Sequence, residues 1–104
     1  MEILTTAAYD KWIRKLKDSQ ARARINLTLR RCQMEGRLVG DLQPVGDQVF
    51  EMRFHFGPGY RIYYLQHQRT VVVLLAGGDK TNQAADISKA KVLAARIRED
   101  KSWQ

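Results

Sequence analysis

Six polar residues between positions 51 and 80 form a group whose basic members could bind phosphate. Glu51, Arg53 and His55 alternate along one segment, so a strand there would direct all three to one face. Three more follow later in the chain, namely Arg61, Asp79 and Lys80. A guanidinium forms planar paired hydrogen bonds and an ammonium is a mobile point charge, so together they bind phosphate and stabilise charge during phosphodiester cleavage. Alternatively, these side chains form an ion-pair network on a solvated sheet face.

Two antiparallel strands would bring the two arginines together. Residues 49–56 alternate, with phenylalanines and Met52 on the face opposite Glu51. The string Gly57-Pro58-Gly59 predicts a turn, and residues 60–65 predict a strand that pairs back. The faces that carry Arg53 and Arg61 can then coincide across neighbouring strands.

The sequence before these strands predicts a short strand and two helices. Residues 3–5 suit a strand, and Tyr9, Trp12, Ile13 and Leu16 follow at the spacing of one helical face. Asp18 or Ser19 can cap a second helix over about residues 21–35, with Cys32 on its apolar side and Gly36 after its end. The short connection between these helices predicts an antiparallel helical hairpin.

The remaining elements complete an α+β fold. Residues 38–42 predict a weak strand, and residues 43–47, which include Pro44, predict a turn. Residues 70–76 are almost continuously apolar, as expected for a central strand, and Gly77-Gly78 ends that strand. A final helix covers about residues 82–98. We therefore expect one domain over residues 1–104, with the hairpin and the last helix packed on a mostly antiparallel sheet of four to five strands.

The positive charge is confined to one part of the chain. The net charge is +7, and residues 11–37 hold nine basic and two acidic residues, so this segment carries the whole excess. A local excess favours a polyanionic partner such as nucleic acid, a membrane surface or an acidic protein. The alternative is that these side chains form the solvated faces of two surface helices.

Composition excludes several classes of protein. A hydrophobic fraction of 44% excludes wholesale disorder, and one cysteine excludes an internal disulfide framework and a multi-cysteine metal site. The longest apolar run, residues 71–78, is too short to span a bilayer, and the N-terminus lacks a signal-peptide pattern. We expect a reduced cytoplasmic protein with no metal or cofactor. Three tyrosines could stack on nucleic-acid bases, although we expect Tyr64 to lie in the core: Tyr60, Tyr63 and Tyr64.

Several strings of the sequence resemble the RelE/HigB superfamily, and most closely its phage-derived "addiction module killer protein" branch. They are Val-Phe-Glu-Met-Arg at 49–53, Phe-Gly-Pro-Gly-Tyr-Arg-Ile-Tyr-Tyr at 56–64 and Leu-Leu-Ala-Gly-Gly-Asp-Lys-Thr-Asn-Gln at 74–83. The opening residues 5–16 and the segment 40–45 fit the same branch, so the resemblance covers nearly the whole chain.

This resemblance implies the toxin of a type II toxin–antitoxin pair with a RelE/ParE-like fold. Many relatives are metal-independent, ribosome-dependent mRNA endoribonucleases, in which the RNA 2′-hydroxyl attacks the adjacent phosphate. By position, Arg61 matches the transition-state arginine, Arg53 the arginine of a Glu-Leu-Arg strand, and Lys80 a basic residue near the last strand, while Glu51 is a weak candidate base. Ribosomal RNA phosphates would contact the basic segment through Lys11, Arg14, Lys15, Lys17, Arg22, Arg24, Arg30 and Arg31.

The resemblance also implies partners and leaves alternatives open. The partners would be the ribosome, mRNA and a cognate antitoxin from an adjacent gene, carrying a helix-turn-helix domain. The better-studied nucleases carry a functional tyrosine or histidine after the last strand, and residues 81–83 here hold neither. No general acid is therefore identified. The alternatives are a ParE-like toxin that acts on DNA gyrase without cutting RNA, or an inactive member that only binds its antitoxin.

Overall fold

The strands and helices of the computed structural model follow the predicted order, and the structure describes residues 1–101. The five strands are β1 (Glu2–Thr5), β2 (Asp41–Gly46), β3 (Val49–Arg53), β4 (Arg61–His67) and β5 (Val71–Gly78). The three helices are α1 (Ala7–Lys15), α2 (Ser19–Glu35) and α3 (Gln83–Glu99). Within residues 1–101, no helix is both long enough and apolar enough to cross a membrane.

All five strands form one sheet in the order β1-β5-β4-β3-β2. The first strand pairs in parallel with β5, and the other three pairings are antiparallel. The predicted α+β class and mostly antiparallel sheet are therefore confirmed.

Each face of the sheet packs against different helices. One core joins α1 and α2 to the sheet through residues such as Tyr9, Ile25 and Ile62. The other core lies under α3 and includes Tyr63 and Ala90. Both central strands, β4 and β5, are consequently buried on both faces, which explains the continuous apolar run in β5.

Local capping residues set the ends of α2 as the sequence predicted. The Asp18 carboxylate accepts hydrogen bonds from the backbone N–H groups of Gln20 and Ala21, both at 3.1 Å. After the helix, Gly36 adopts a left-handed conformation with φ 72° and donates its N–H to the Cys32 carbonyl. Cys32 is fully buried, as expected.

The predicted position of β2 is wrong. The strand covers residues 41–46 rather than 38–42, and the turn falls at Asp47 and Gln48, where φ is 54° and 63°. Two successive positive φ values give the tight turn whose twist suits a hairpin. Pro44 lies within β2 because this is an edge strand, where a missing N–H on the open side is tolerated.

The predicted extent of β3 is also wrong. The strand ends at Arg53, and Phe54 and Phe56 instead pack edge to face in the α1–α2 core. Tyr64 is buried as expected, and Tyr63 is buried too because both faces of β4 are covered. Tyr60 lies just before β4 and is buried against the rings of Trp12 and Phe56. None of the three tyrosines is therefore available to stack on a base.

The end of β5 depends on a residue without a side chain at position 77. A Cβ added to Gly77 would overlap the ring of Trp12, which packs directly on the strand backbone. Trp12 also meets the Tyr60 ring at a centroid distance of 6.3 Å. This contact positions α1 over the end of the strand.

We expect Gly77→Ala to lower the free energy of unfolding by about 1–3 kcal/mol, because a methyl group overpacks the Trp12 contact. Urea denaturation measures the change. In a double-mutant cycle, Trp12→Leu should remove much of the effect of Gly77→Ala. Strictly additive effects of the two substitutions would contradict the proposed contact.

Candidate phosphate-binding site

One buried carboxylate organises the predicted polar cluster. Glu51 on β3 is 1% exposed, and Arg53 lies directly opposite Arg61 across the β3–β4 pairing. Glu51 Oε1 accepts a hydrogen bond from Arg53 Nε at 2.5 Å, while Oε2 lies 3.6 Å from Arg61 Nε. The structure thus holds two guanidinium groups on adjacent strands around a single acidic group.

The two arginines differ in how they meet solvent. The Arg53 side chain is 37% exposed, and its hydrogen bond to Glu51 raises its pKa above the usual value. The Arg61 side chain is 11% exposed and donates from Nη1 to the Gly59 carbonyl at 3.1 Å. At 3.6 Å the Arg61–Glu51 contact is electrostatic rather than a hydrogen bond, and neither Arg61 Nε nor Glu51 Oε2 has a hydrogen-bond partner within residues 1–101. Arg53 is therefore the more accessible guanidinium.

Lys80 reaches the same place from the loop after β5. Its aliphatic stem crosses the turn before β4, since a Cβ on Gly59 would lie 2.8 Å from Lys80 Cε. The same Gly59 accepts the Arg61 hydrogen bond, so Lys80 and Arg61 meet at one turn. Lys80 is exposed, and Asp79 beside it accepts a hydrogen bond from the Thr81 N–H at 2.8 Å. The structure therefore brings together four predicted residues: Glu51, Arg53, Arg61 and Lys80.

His55 does not belong to this cluster. Because β3 ends at Arg53, the alternation that would have directed His55 to the same face as Glu51 is broken. Its Nε2 lies 2.7 Å from the Asp41 carboxylate on β2, and its side chain is 71% exposed. Hydrogen bonds from Gln43 and His55 lower the pKa of Asp41.

Two further side chains lie near the cluster, those of Tyr63 and Asp86, and the sequence analysis assigned neither of them to it. The Tyr63 hydroxyl is buried without a hydrogen-bond partner in residues 1–101, and burial raises its pKa to about 12, with Glu51 and Asp86 adding to the rise. The Asp86 carboxylate packs on Gly78, where an added Cβ would overlap it. Gly78 is in turn the pairing partner of Arg61. Burial, and then the charge of Asp79, raises the pKa of Asp86.

No local sequence signal marks Asp86 as a site residue. It lies in the first turn of α3, where an acidic residue is common because it complements the helix dipole. The glycine pair before it could have suggested a close approach to the strand, but not which side chain approaches.

The predicted RNA-binding residues of the basic segment occupy different surfaces. Arg22 is half-buried and donates to the Leu16 carbonyl at 2.9 Å, and Arg24 lies over the Phe56 ring at 4.0 Å. Arg31 pairs with Glu35 at 3.5 Å on the exposed side of α2. The three lysines, by contrast, surround one cleft between α1 and α3, and they are Lys11, Lys15 and Lys17.

The fold and this cluster define a small α+β protein with two arginines and a lysine gathered at one end of its sheet. A family model described as "Phage derived protein Gp49-like (DUF891)" matches residues 11–99. The chain belongs to this phage-derived, Gp49-like family. A protein of Haemophilus influenzae (strain Rd KW20), described as uncharacterized, is 41% identical over 97 residues, which cover 93% of this chain and 96% of that protein. No solved structure matches the chain.

We expect Glu51→Gln to destabilise the fold by about 3 kcal/mol, because it leaves two guanidinium groups beside a neutral buried amide. The matched control is Glu35→Gln, which removes the exposed Arg31–Glu35 pair and should change stability by less than about 1 kcal/mol. Urea unfolding of both variants at neutral pH measures the difference. Equal effects would show that the Glu51 pair contributes no more than a surface ion pair.

We expect Asp86→Asn to stabilise the fold at pH 7. The pKa of Asp86 is raised in the folded state, so the ionised carboxylate lowers stability at a pH above that pKa. At a pH below the pKa of Asp86 in the unfolded chain, the carboxyl group is neutral in both states and imposes no such penalty. The gain should therefore disappear near pH 3. Urea midpoints at the two pH values measure it, and a loss of stability at pH 7 would contradict this account.

Proposed function

We propose that this chain is the toxin of a type II toxin–antitoxin pair and acts as a metal-independent, ribosome-dependent mRNA endoribonuclease of the RelE/HigB type. The observation that carries the proposal is the pairing of Arg53 and Arg61 around buried Glu51, with Lys80 at the adjoining turn. Membership of a phage-derived family and the resemblance to addiction-module toxins support it. The proposed target is translated mRNA in the cytoplasm, and a cognate antitoxin from an adjacent gene would neutralise the protein.

The proposed chemistry uses the RNA as its own nucleophile. The 2′-hydroxyl loses its proton and attacks the adjacent phosphorus, and the bond from phosphorus to the 5′-oxygen breaks. The products are a 2′,3′-cyclic phosphate and a 5′-hydroxyl, whose oxygen takes up a proton. Negative charge grows on the phosphate oxygens during this step, and Arg53, Arg61 and Lys80 would stabilise it.

Glu51 fits the role of a positioning residue in this scheme. Its carboxylate is buried and faces both guanidinium groups, so a substrate hydroxyl has little access to it. Holding Arg61 against both Glu51 and the Gly59 carbonyl limits its motion before substrate arrives. Preorganised charge of this kind lowers the barrier without reorganisation during the reaction.

We expect Lys80→Ala to slow mRNA cleavage by about 100-fold while leaving the fold intact, and Arg53→Lys to slow it by at least about tenfold. Lys80 is exposed, so its removal leaves no unpaired buried charge, and Arg53→Lys keeps a cation beside the buried Glu51 carboxylate. Arg61→Lys is the conservative variant for the more buried arginine. Inducible expression, followed by growth curves and mapping of mRNA 5′ ends, measures the loss.

The matched control is Arg69→Ala, which removes an exposed basic residue from the turn at the opposite end of β4 and β5. It should arrest growth as the unaltered protein does. Growth arrest without mRNA cleavage, with changes in DNA supercoiling, would favour the gyrase-directed alternative. Normal growth on induction of the folded protein would favour an inactive member.

A further inference from the structure

The cleft between α1 and α3 takes no part in the proposed reaction. Its volume is about 450 Å³, and it opens at the side of β5, beside the Ala76 and Gly77 backbone. Small and apolar residues form much of its lining, namely Ala8, Trp12, Leu16, Ala76 and Gly77. Four lysines also line it, Lys11, Lys15, Lys17 and Lys89, against one carboxylate, that of Asp86.

The strand beside this cleft has an open edge. The parallel pairing with β1 ends at Thr5 and Leu74, and Thr6 then binds the Leu74 carbonyl through its N–H and the Leu75 carbonyl through its hydroxyl. Residues 76–78 pair with β4 on one side and with no described strand on the other. In a strand, alternate residues direct their N–H and C=O groups to opposite sides, so part of this backbone faces the cleft.

We propose that this cleft binds an extended, acidic peptide segment of a partner protein, which adds a short strand to the edge of β5 at residues 76–78. Acidic side chains of the peptide would pair with the lysines, and its apolar side chains would lie on Trp12 and its neighbours. If the proposed function holds, the partner is the antitoxin. That identification rests on the proposed function, whereas the cleft and its ligand chemistry do not.

The lining favours a peptide over an RNA strand. An open strand edge offers both donors and acceptors, and a peptide backbone can satisfy both, whereas phosphate oxygens only accept. The Asp86 carboxylate would repel a phosphate but can accept a hydrogen bond from a peptide N–H. None of Glu51, Arg53, Arg61 and Lys80 lines the cleft.

Fluorescence of Trp12 provides a direct test. The chain has two tryptophans, so Trp103→Phe leaves the cleft residue as the single reporter. The probe is a capped octapeptide of alternating glutamate and valine, and the comparison ligands are the lysine–valine peptide and octauridylate. We expect the acidic peptide to change the emission saturably, and N-methylation along one peptide edge to weaken it about tenfold, because that edge can no longer donate to the strand.

Charge variants locate the binding site. Lys15→Glu with Lys89→Glu should weaken binding of the acidic peptide at least about tenfold. The control, Arg37→Glu with Arg69→Glu, makes the same change in net charge at exposed positions after α2 and in the turn between β4 and β5, and it should weaken binding less than about twofold. Lys15→Gln with Lys89→Gln serves if the charge reversals disturb α1, and circular dichroism checks each variant.

Three results would overturn the proposal. The first is that the acidic peptide does not bind, or binds equally well when N-methylated. The second is that the control variant loses as much affinity as the cleft variant, which would indicate bulk charge. The third is tighter binding of octauridylate that the cleft substitutions abolish, which would assign the cleft to RNA. Peptide binding without mRNA cleavage in the same preparation would overturn the endoribonuclease proposal and leave the cleft assignment standing.

Discussion

The basic site, formed by Arg53, Arg61 and Lys80, depends on one buried interaction, the contact of the Glu51 carboxylate with the two arginines. Arg53 and Arg61 face each other across adjacent strands, where like charges would otherwise repel. The carboxylate between them offsets that repulsion and lies on the sheet face that α3 covers. Positive charge can therefore be concentrated on a rigid surface, which a flexible loop of arginines would not achieve.

The glycine pair at the end of β5 sets the geometry on both faces of the sheet. Gly77 admits the Trp12 ring from α1, and Gly78 admits the Asp86 carboxylate from α3. Gly78 is paired with Arg61, while Gly77 borders the lysine-lined cleft. The end of β5 therefore borders both the basic site and the cleft between α1 and α3. A peptide bound in the cleft would lie close to the residues proposed to act on RNA.

Sequence reasoning recovered the elements whose signals are local. The apolar spacing of α1, the Asp18 cap and the Gly36 stop predicted both N-terminal helices because each signal acts within a few residues. It misplaced β2 because Pro44 usually marks a turn, and only its position at the sheet edge makes it acceptable in a strand. Arg53 and Arg61 were matched correctly because the turn between their strands fixes their register.

The sequence by itself determined the order of elements, the location of the charge excess and the residue types of the basic site, since these follow from short-range patterns. Only the tertiary structure decided which lysines share a cleft, that Glu51 is buried between its arginines, and that Asp86 approaches Gly78. These contacts join residues from separate helices and strands. Their geometry depends on how α1 and α3 pack on opposite faces of the sheet, and no periodicity within a single segment encodes that packing.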